Sequence, residues 1–192
     1  LEIRPSASIG ISIFPHDGGD MDSLLHHADV AMYQAKHNGR NRVRFYSSEM
    51  DECAQERMAL EAGLREALEQ GQLQLHYQPQ IEIHSGRLHS VEALARWQHP
   101  RLGSVPPIRF IPLAEEAGLI GDLGQWALHE ACRQLGRWRQ EGLEVPSVSV
   151  NLSPTNFHSE ALPDCISQIL QQESLNADDL MLEITEDVLL DG

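Results

Sequence analysis

Cysteines are few in this 192-residue sequence. Cys53, Cys132 and Cys165 are far apart, and none has CxxC or other metal-ligand spacing. This excludes a disulfide framework and a cysteine-based zinc site, and it predicts reduced thiols. The sequence also has no apolar run of about 18 residues and no charged start followed by an apolar stretch, so it predicts neither a membrane span nor a signal peptide. We therefore expect a cytoplasmic location.

The chain begins at Leu1 in strand-like sequence and has no initiator Met, which predicts an internal piece of a longer parent protein. A membrane anchor of that parent would lie upstream of Leu1.

Basic residues are also scarce, and none follows Arg139. The net charge is −15, yet residues 1–46 are balanced, with five basic and five acidic residues, so the excess lies in residues 47–192. Such a surface repels a nucleic-acid backbone, which argues against DNA or RNA as a partner. An anionic ligand would need metal ions and a few well-placed basic groups to receive it.

What is present is an alternation of strand and helix patterns. A strand at 6–14, a helix at 20–37 capped by Asp20 or Asp22, and a strand at 42–46 precede a long helix at 47–69. Further strands are predicted at 73–81, 90–97, 147–153 and 180–185, with helices at 109–118, 121–140 and 162–173 and a long loop at 98–107. This α/β pattern fits an open doubly wound sheet or half of a (β/α)8 barrel, and the lack of a Gly-rich phosphate loop disfavours the former.

Polar residues share one face of each later strand. Alternate residues of a strand point the same way, so Glu92, Leu94 and Arg96 oppose an apolar face. Each of the other strands likewise carries a polar residue near its end, namely Gln78, Asn151 and Glu183. Side chains at the carboxyl ends of barrel strands converge at one mouth, so these residues either form a site there or are separate polar groups satisfied within the fold. Two carboxylates and a carboxamide suit Mg²⁺ or Mn²⁺, and an adjacent Arg is typical of phosphoryl chemistry.

Several motifs in order extend this interpretation. They are YQP at 77–79, VEALARW at 91–97, RFIPLAEEAGLI at 109–120, NLSP at 151–154 and EITE at 183–186. Over about residues 57–192 the sequence resembles the EAL family of bacterial cyclic-di-GMP phosphodiesterases. The resemblance implies a modified (β/α)8, TIM-like barrel with one antiparallel strand, and hydrolysis of cyclic di-GMP to linear pGpG by metal-activated water.

The resemblance also implies roles for individual residues. Glu92, Asn151 and Glu183 would be metal ligands, with Glu92 and Glu183 counted as catalytic. Gln78, Leu94 and Arg96 would contact the substrate, and Glu186 would anchor a mobile loop. Barrels of this family often act as dimers, so a homodimer through the EAL domain is also expected.

Residues 1–46 resemble the end of a GGDEF diguanylate-cyclase domain, through SIGISIFP and ADVAMYQAKHNGRNRV. Lys36 and Arg40 match positions that contact GTP phosphates in that family, although solvated cations at a helix end are an equal alternative. The organisation expected is therefore the end of a GGDEF domain at 1–46, a connecting helix at 47–70, and the N-terminal half of an EAL domain at 71–192.

The family's catalytic set also includes an Asp pair, a Lys and a Glu that would follow this sequence. We therefore expect an active phosphodiesterase in the parent protein but little or no hydrolysis by the 192-residue chain. The alternatives are a catalytically inactive cyclic-di-GMP receptor and a regulatory scaffold in which the GGDEF part binds GTP and acts through the connecting helix.

Overall fold

The computed structural model describes residues 6–37 and 39–184, which divide into two compact units at Leu60 and Glu61. The first unit holds β1 (Ile9–Ile11), α1 (Met21–His37), β2 (Val43–Phe45) and the first part of α2 (Ser48–Gln70). The second holds the rest of α2, β3 (Leu73–Ile81), β4 (Leu88–His99), β5 (Gly103–Val105), α3 (Pro107–Glu116), α4 (Ile120–Gln140), β6 (Val148–Leu152), α5 (Pro154–Phe157), α6 (Leu162–Gln172) and β7 (Leu180–Ile184).

In the first unit, β1 and β2 pair in parallel and α1 packs directly on β1. The close approach occurs at Gly10, where a Cβ atom would lie 2.0 Å from the carbonyl oxygen of Ala28. Of the two predicted caps, Asp20 is the one that caps α1, because its Oδ1 accepts the backbone N–H of Ser23 at 2.8 Å. The predicted strands at 6–14 and 42–46 are shorter in the structure, at three residues each.

In the second unit, the strand order is β3-β4-β6-β7, and β5 pairs with β4 outside this path. Strands β4, β6 and β7 are parallel, whereas β3 and β5 run antiparallel to β4. The four predicted strands are all present, and the strand predicted at 73–81 has those bounds. Helices α4 and α6 cover the apolar face of this sheet, with Leu128, Cys132, Leu135, Val148 and Val150 in the buried core.

The long loop predicted at 98–107 is wrong in part, because it contains β5. Gly103 has a φ of 70°, which suits glycine and lets the chain reverse and pair with the end of β4. The buried His99 holds this turn: its Nδ1 accepts the backbone N–H groups of Arg101 and Leu102, each at 3.1 Å. The short helix α5 also lies outside the predicted elements.

An ion pair joins the end of α4 to the start of β7. The guanidinium of Arg139 donates to both carboxylate oxygens of Asp179, at 2.7 and 2.8 Å, and also to the carbonyl oxygen of Pro146. Asp179 is buried, and its Oδ2 additionally accepts the backbone N–H of Asn176. The hydrogen bonds from Arg139 are the main reason that the pKa of Asp179 lies below its usual value of 3.8.

The Asp179 pair should stabilise the fold in its ionised form. Folding lowers the pKa of Asp179, so the ion pair stabilises the fold fully above pH 3.8. This stabilisation is lost as the pH falls through the lowered pKa of the folded state. We expect Asp179→Asn to lower the free energy of unfolding by about 2 kcal/mol at pH 7, and the difference from wild type to shrink towards pH 2. Urea unfolding at both pH values measures this. The control is Asp178→Asn, an exposed neighbour, and an equal loss in both variants would contradict the prediction.

Candidate active site

The predicted site residues of the second unit come from four neighbouring strands. Gln78 lies opposite Glu92 in the β3–β4 ladder, and Asn151 lies opposite Glu183 in the β6–β7 ladder. Glu92 is paired in turn with Ser149, two residues before Asn151 on β6. Since residues in register on adjacent strands share a face, these side chains form one polar row across the sheet.

The apolar face opposite this row is buried, as the alternation in the sequence predicts. Val91, Ala93 and Trp97 are only 6%, 5% and 1% exposed. On β6 the exposed Asn151 lies between the buried residues Val150 and Leu152. The assignment of faces made from the sequence is therefore confirmed for these strands.

A hydrogen bond connects two members of the row. The Nδ2 of Asn151 donates to the Oε1 of Glu92 at 2.8 Å, across 59 residues of sequence. This bond directs the amide nitrogen of Asn151 towards Glu92 and turns the amide oxygen to another side. The Oδ1 of Asn151, the Oε2 of Glu92 and the carboxylate of Glu183, which is next to Asn151 in register, are then three hard oxygen donors from three adjacent strands.

Arg96 and Leu94 follow Glu92 along the same face of β4, opposite Gln74 and His76 of β3. The Nη1 of Arg96 donates to the carbonyl oxygen of Ala95 at 2.9 Å, so the guanidinium lies against its own strand. This contact uses one of the five N–H donors of the group. Among the described residues the bond to Ala95 is the one hydrogen bond of this side chain, which leaves its other N–H groups available to an anion.

The oxygen atoms of Glu92, Asn151 and Glu183 can be compared with the ligands that divalent cations usually have in proteins. The described residues contain no group of three or more His, Cys, Asp and Glu side chains that could hold a metal ion. A hard cation does not require one: Mg²⁺ is usually bound by one or two carboxylates and keeps several waters. Two carboxylates and a carboxamide oxygen on neighbouring strands therefore fit Mg²⁺ or Mn²⁺ better than zinc.

Two features near the row were not singled out in the sequence. The hydroxyl of Ser149 is buried in the row and has no hydrogen-bond partner among the described residues. The carboxamide of Asn156 belongs to the loop after β6, which consists of Ser153 and the single turn of α5, and it is hydrogen-bonded at both ends, to Ser153 and to Gly121 of α4. The three-residue spacing from Ser153 to Asn156 is a helix-capping pattern that is visible in the sequence. The bond from Asn156 to Gly121 of α4 is not visible there, because the two residues are far apart along the chain.

The remaining predicted residues lie elsewhere. Lys36 and Arg40 are exposed in the first unit, at the last turn of α1 and just after it. Arg40 has a φ of 53°, and its carbonyl oxygen accepts the Nε of Arg42 at 3.1 Å. Glu186 lies outside the described residues.

Comparison with known proteins agrees with this geometry. The family model for the EAL domain matches residues 61–191, and the model for the GGDEF domain of diguanylate cyclases matches residues 1–42. The chain belongs to the EAL domain family.

Among curated relatives, the bifunctional diguanylate cyclase/cyclic di-GMP phosphodiesterase MucR of Pseudomonas aeruginosa is 46% identical over 185 residues, which is 96% of this chain and 27% of MucR. The oxygen sensor protein DosP of Escherichia coli is 45% identical over the same share of this chain and 23% of its own length. The chain thus spans about a quarter of the length of these relatives.

Among solved structures, the complex of the PaMucR phosphodiesterase with c-di-GMP is similar at a TM-score of 0.65 and 43% identity, covering 69% of this chain and 53% of that one. The FimX EAL domain of Xanthomonas citri in complex with c-di-GMP gives a TM-score of 0.64 and 25% identity over 72% of this chain and 53% of that one. The TIM-barrel-like EAL fold expected from the sequence is confirmed. No helix in the described part of the chain has the length and apolar character to cross a membrane.

Proposed function

We propose that the protein containing this chain hydrolyses cyclic di-GMP to linear pGpG, using Mg²⁺ or Mn²⁺. The observation that carries the proposal is the hydrogen bond from Asn151 to Glu92 with Glu183 in register beside it. The similarity to named cyclic di-GMP phosphodiesterases, including PdeR of Escherichia coli and NbdA of Pseudomonas aeruginosa, supports the same reaction.

Each residue of the row then has a role. Glu92, Asn151 and Glu183 would hold the cation through oxygen atoms, and Asn151 would also keep the carboxylate of Glu92 pointing along the row. When bound, the cation would supply an activated water and neutralise charge on the phosphodiester. Arg96 would turn from Ala95 to donate to a phosphate oxygen, while Gln78 and Leu94 would contact the rest of the dinucleotide.

The chain's organisation is part of the proposal. The GGDEF match at 1–42, the EAL match from residue 61 and the division of the structure at Leu60 support a connecting segment within α2. We further propose that Lys36 and Arg40 serve GTP binding in the GGDEF part, and that the EAL domain forms a homodimer. Binding of cyclic di-GMP without hydrolysis is the second candidate function, favoured by the similarity to EAL domains solved in complex with c-di-GMP.

The metal role of Glu92 is tested in the protein at its natural length. Glu92→Ala removes one ligand and the acceptor for Asn151, so we expect kcat to fall by about 10³-fold or more. Release of pGpG in Mn²⁺ measures this, with Glu144→Ala, an exposed carboxylate before β6, as the control. If wild type binds cyclic di-GMP tightly but releases no pGpG, the protein is a receptor. If Glu92→Ala retains full turnover, the metal assignment fails.

Arg96 should act mainly in binding. Arg96→Ala removes a charge-assisted donor to phosphate, and we expect KM for cyclic di-GMP to rise by about tenfold or more, with a smaller change in kcat. Steady-state kinetics separate the two parameters. Arg101→Ala, in the β4–β5 turn, is the matched control and should behave as wild type. A lowered kcat with unchanged KM would instead assign Arg96 to the chemical step.

The 192-residue chain should hydrolyse little or no cyclic di-GMP by itself. In the described residues the row occupies an open sheet, and further residues are expected to complete the catalytic set. The measurement compares pGpG release by this chain and by the protein at its natural length, with Mg²⁺ and with Mn²⁺. Comparable turnover would show that residues 1–192 suffice for catalysis.

A further inference from the structure

We propose that Asn156 is a positioning residue, which holds Asn151 in place for the cation by tying the loop after β6 to the start of α4. This inference rests on the proposed function for its purpose, because it deepens the role of Asn151. Asn156 itself is only 5% exposed, and its carboxamide bonds Ser153 and Gly121.

The need for such a tie comes from the end of the β4–β6 ladder. The two strands are paired from Val91 and Val148 as far as Ala93 and Val150, so pairing on this side stops one residue before Asn151. Beyond that point β6 is paired with β7 alone, through Leu152. The strand ladder therefore does not fix the distance from Asn151 to Glu92, which is on β4.

The loop that follows Leu152 is held by a chain of hydrogen bonds. The hydroxyl of Ser153 donates to the Oδ1 of Asn156 at 2.6 Å and accepts the backbone N–H of Asn156 at 3.2 Å. The Nδ2 of Asn156 then donates to the carbonyl oxygen of Gly121 at 3.0 Å. Both functional ends of one buried carboxamide are thus used, one within the loop and one on α4.

The surface of α4 is shaped to receive this carboxamide. A Cβ atom at Gly124 would lie 2.4–2.6 Å from the Nδ2, Cγ and Oδ1 atoms of Asn156, which is closer than non-bonded atoms approach. Only glycine lets Asn156 lie against α4 here. Because α4 packs on both β4 and β6, this contact fixes the loop to the same body that carries Glu92.

The consequence is an indirect control of the metal site. Asn151 is two residues before Ser153, and beyond the last β4–β6 pair the strand ladders hold the end of β6 through β7 alone. Releasing the loop would remove the other restraint on this end and loosen the bond from Asn151 to Glu92. Side chains that orient metal ligands typically contribute about 10–100-fold to metal affinity. Asn156 acts here through the backbone, and it touches neither the cation nor the substrate.

The test uses two glycines near the start of α4, Gly121 and Gly124, in the protein at its natural length. Gly124→Ala displaces Asn156 without altering it. Gly121→Ala is the matched control in the same helix, because it keeps the backbone carbonyl that accepts Asn156 and its Cβ atom meets nothing within 4 Å. Asn156→Ala removes the carboxamide directly. Mn²⁺ binding, followed by the electron paramagnetic resonance signal of free Mn²⁺, needs no substrate and no turnover.

We expect Gly124→Ala and Asn156→Ala to raise the dissociation constant for Mn²⁺ by about tenfold or more, and Gly121→Ala to leave it unchanged. Hydrogen–deuterium exchange should quicken in residues 151–157 of the first two variants and not in the control. If Asn156→Ala does not fold, the comparison of Gly124→Ala with Gly121→Ala still tests the proposal.

Wild-type affinity for Mn²⁺ in Gly124→Ala would overturn the proposal, whether or not exchange in the loop changes. If wild type itself binds no Mn²⁺, the proposed metal site fails. The exchange measurement then decides alone: faster exchange at 151–157 in Gly124→Ala supports positioning of Asn151, and unchanged exchange overturns it.

Discussion

The common register of β4, β6 and β7 is the constraint on which the site depends. Each parallel strand carries apolar residues to the helices, and its polar residues, with Leu94 and Met181 among them, to the opposite face. A shift of one residue in any strand would exchange the two sets. Val91, Val148 and Val150 fix this register by their burial against α4 and α6. The same packing that forms the core therefore brings Glu92, Asn151 and Glu183 onto one face.

Hydrogen bonds outside the strand ladders also position the residues of the polar face. The bond from Asn151 to Glu92 crosses between β6 and β4 just where their pairing has ended. At the other end of the sheet, the pair of Arg139 and Asp179 ties α4 to the start of β7. Helix α4 is thus tied to both edges of the sheet, since the loop after β6 also binds its first turn through Asn156.

Much of this could be predicted from local pattern. Alternation in residues 91–97 was enough to separate Glu92 and Arg96 from the buried face, because a period of two residues is a local property. The pairings of Asn151 with Glu92 and of Arg139 with Asp179 span 59 and 40 residues, and no local pattern encodes them. Strand β5 was missed because its three residues lie among prolines and glycines that favour a loop, and only pairing with β4 makes it a strand.

The proposed function depends most on one assignment, that Glu92, Asn151 and Glu183 together hold a divalent cation. The most direct measurement is anomalous diffraction from a crystal of the protein at its natural length, grown with Mn²⁺ and the reaction product pGpG. We expect a manganese peak at bonding distance from oxygen atoms of all three side chains, with a phosphate oxygen of pGpG beside it. A bound dinucleotide with manganese elsewhere, or with none near Glu92 and Asn151, would contradict this assignment.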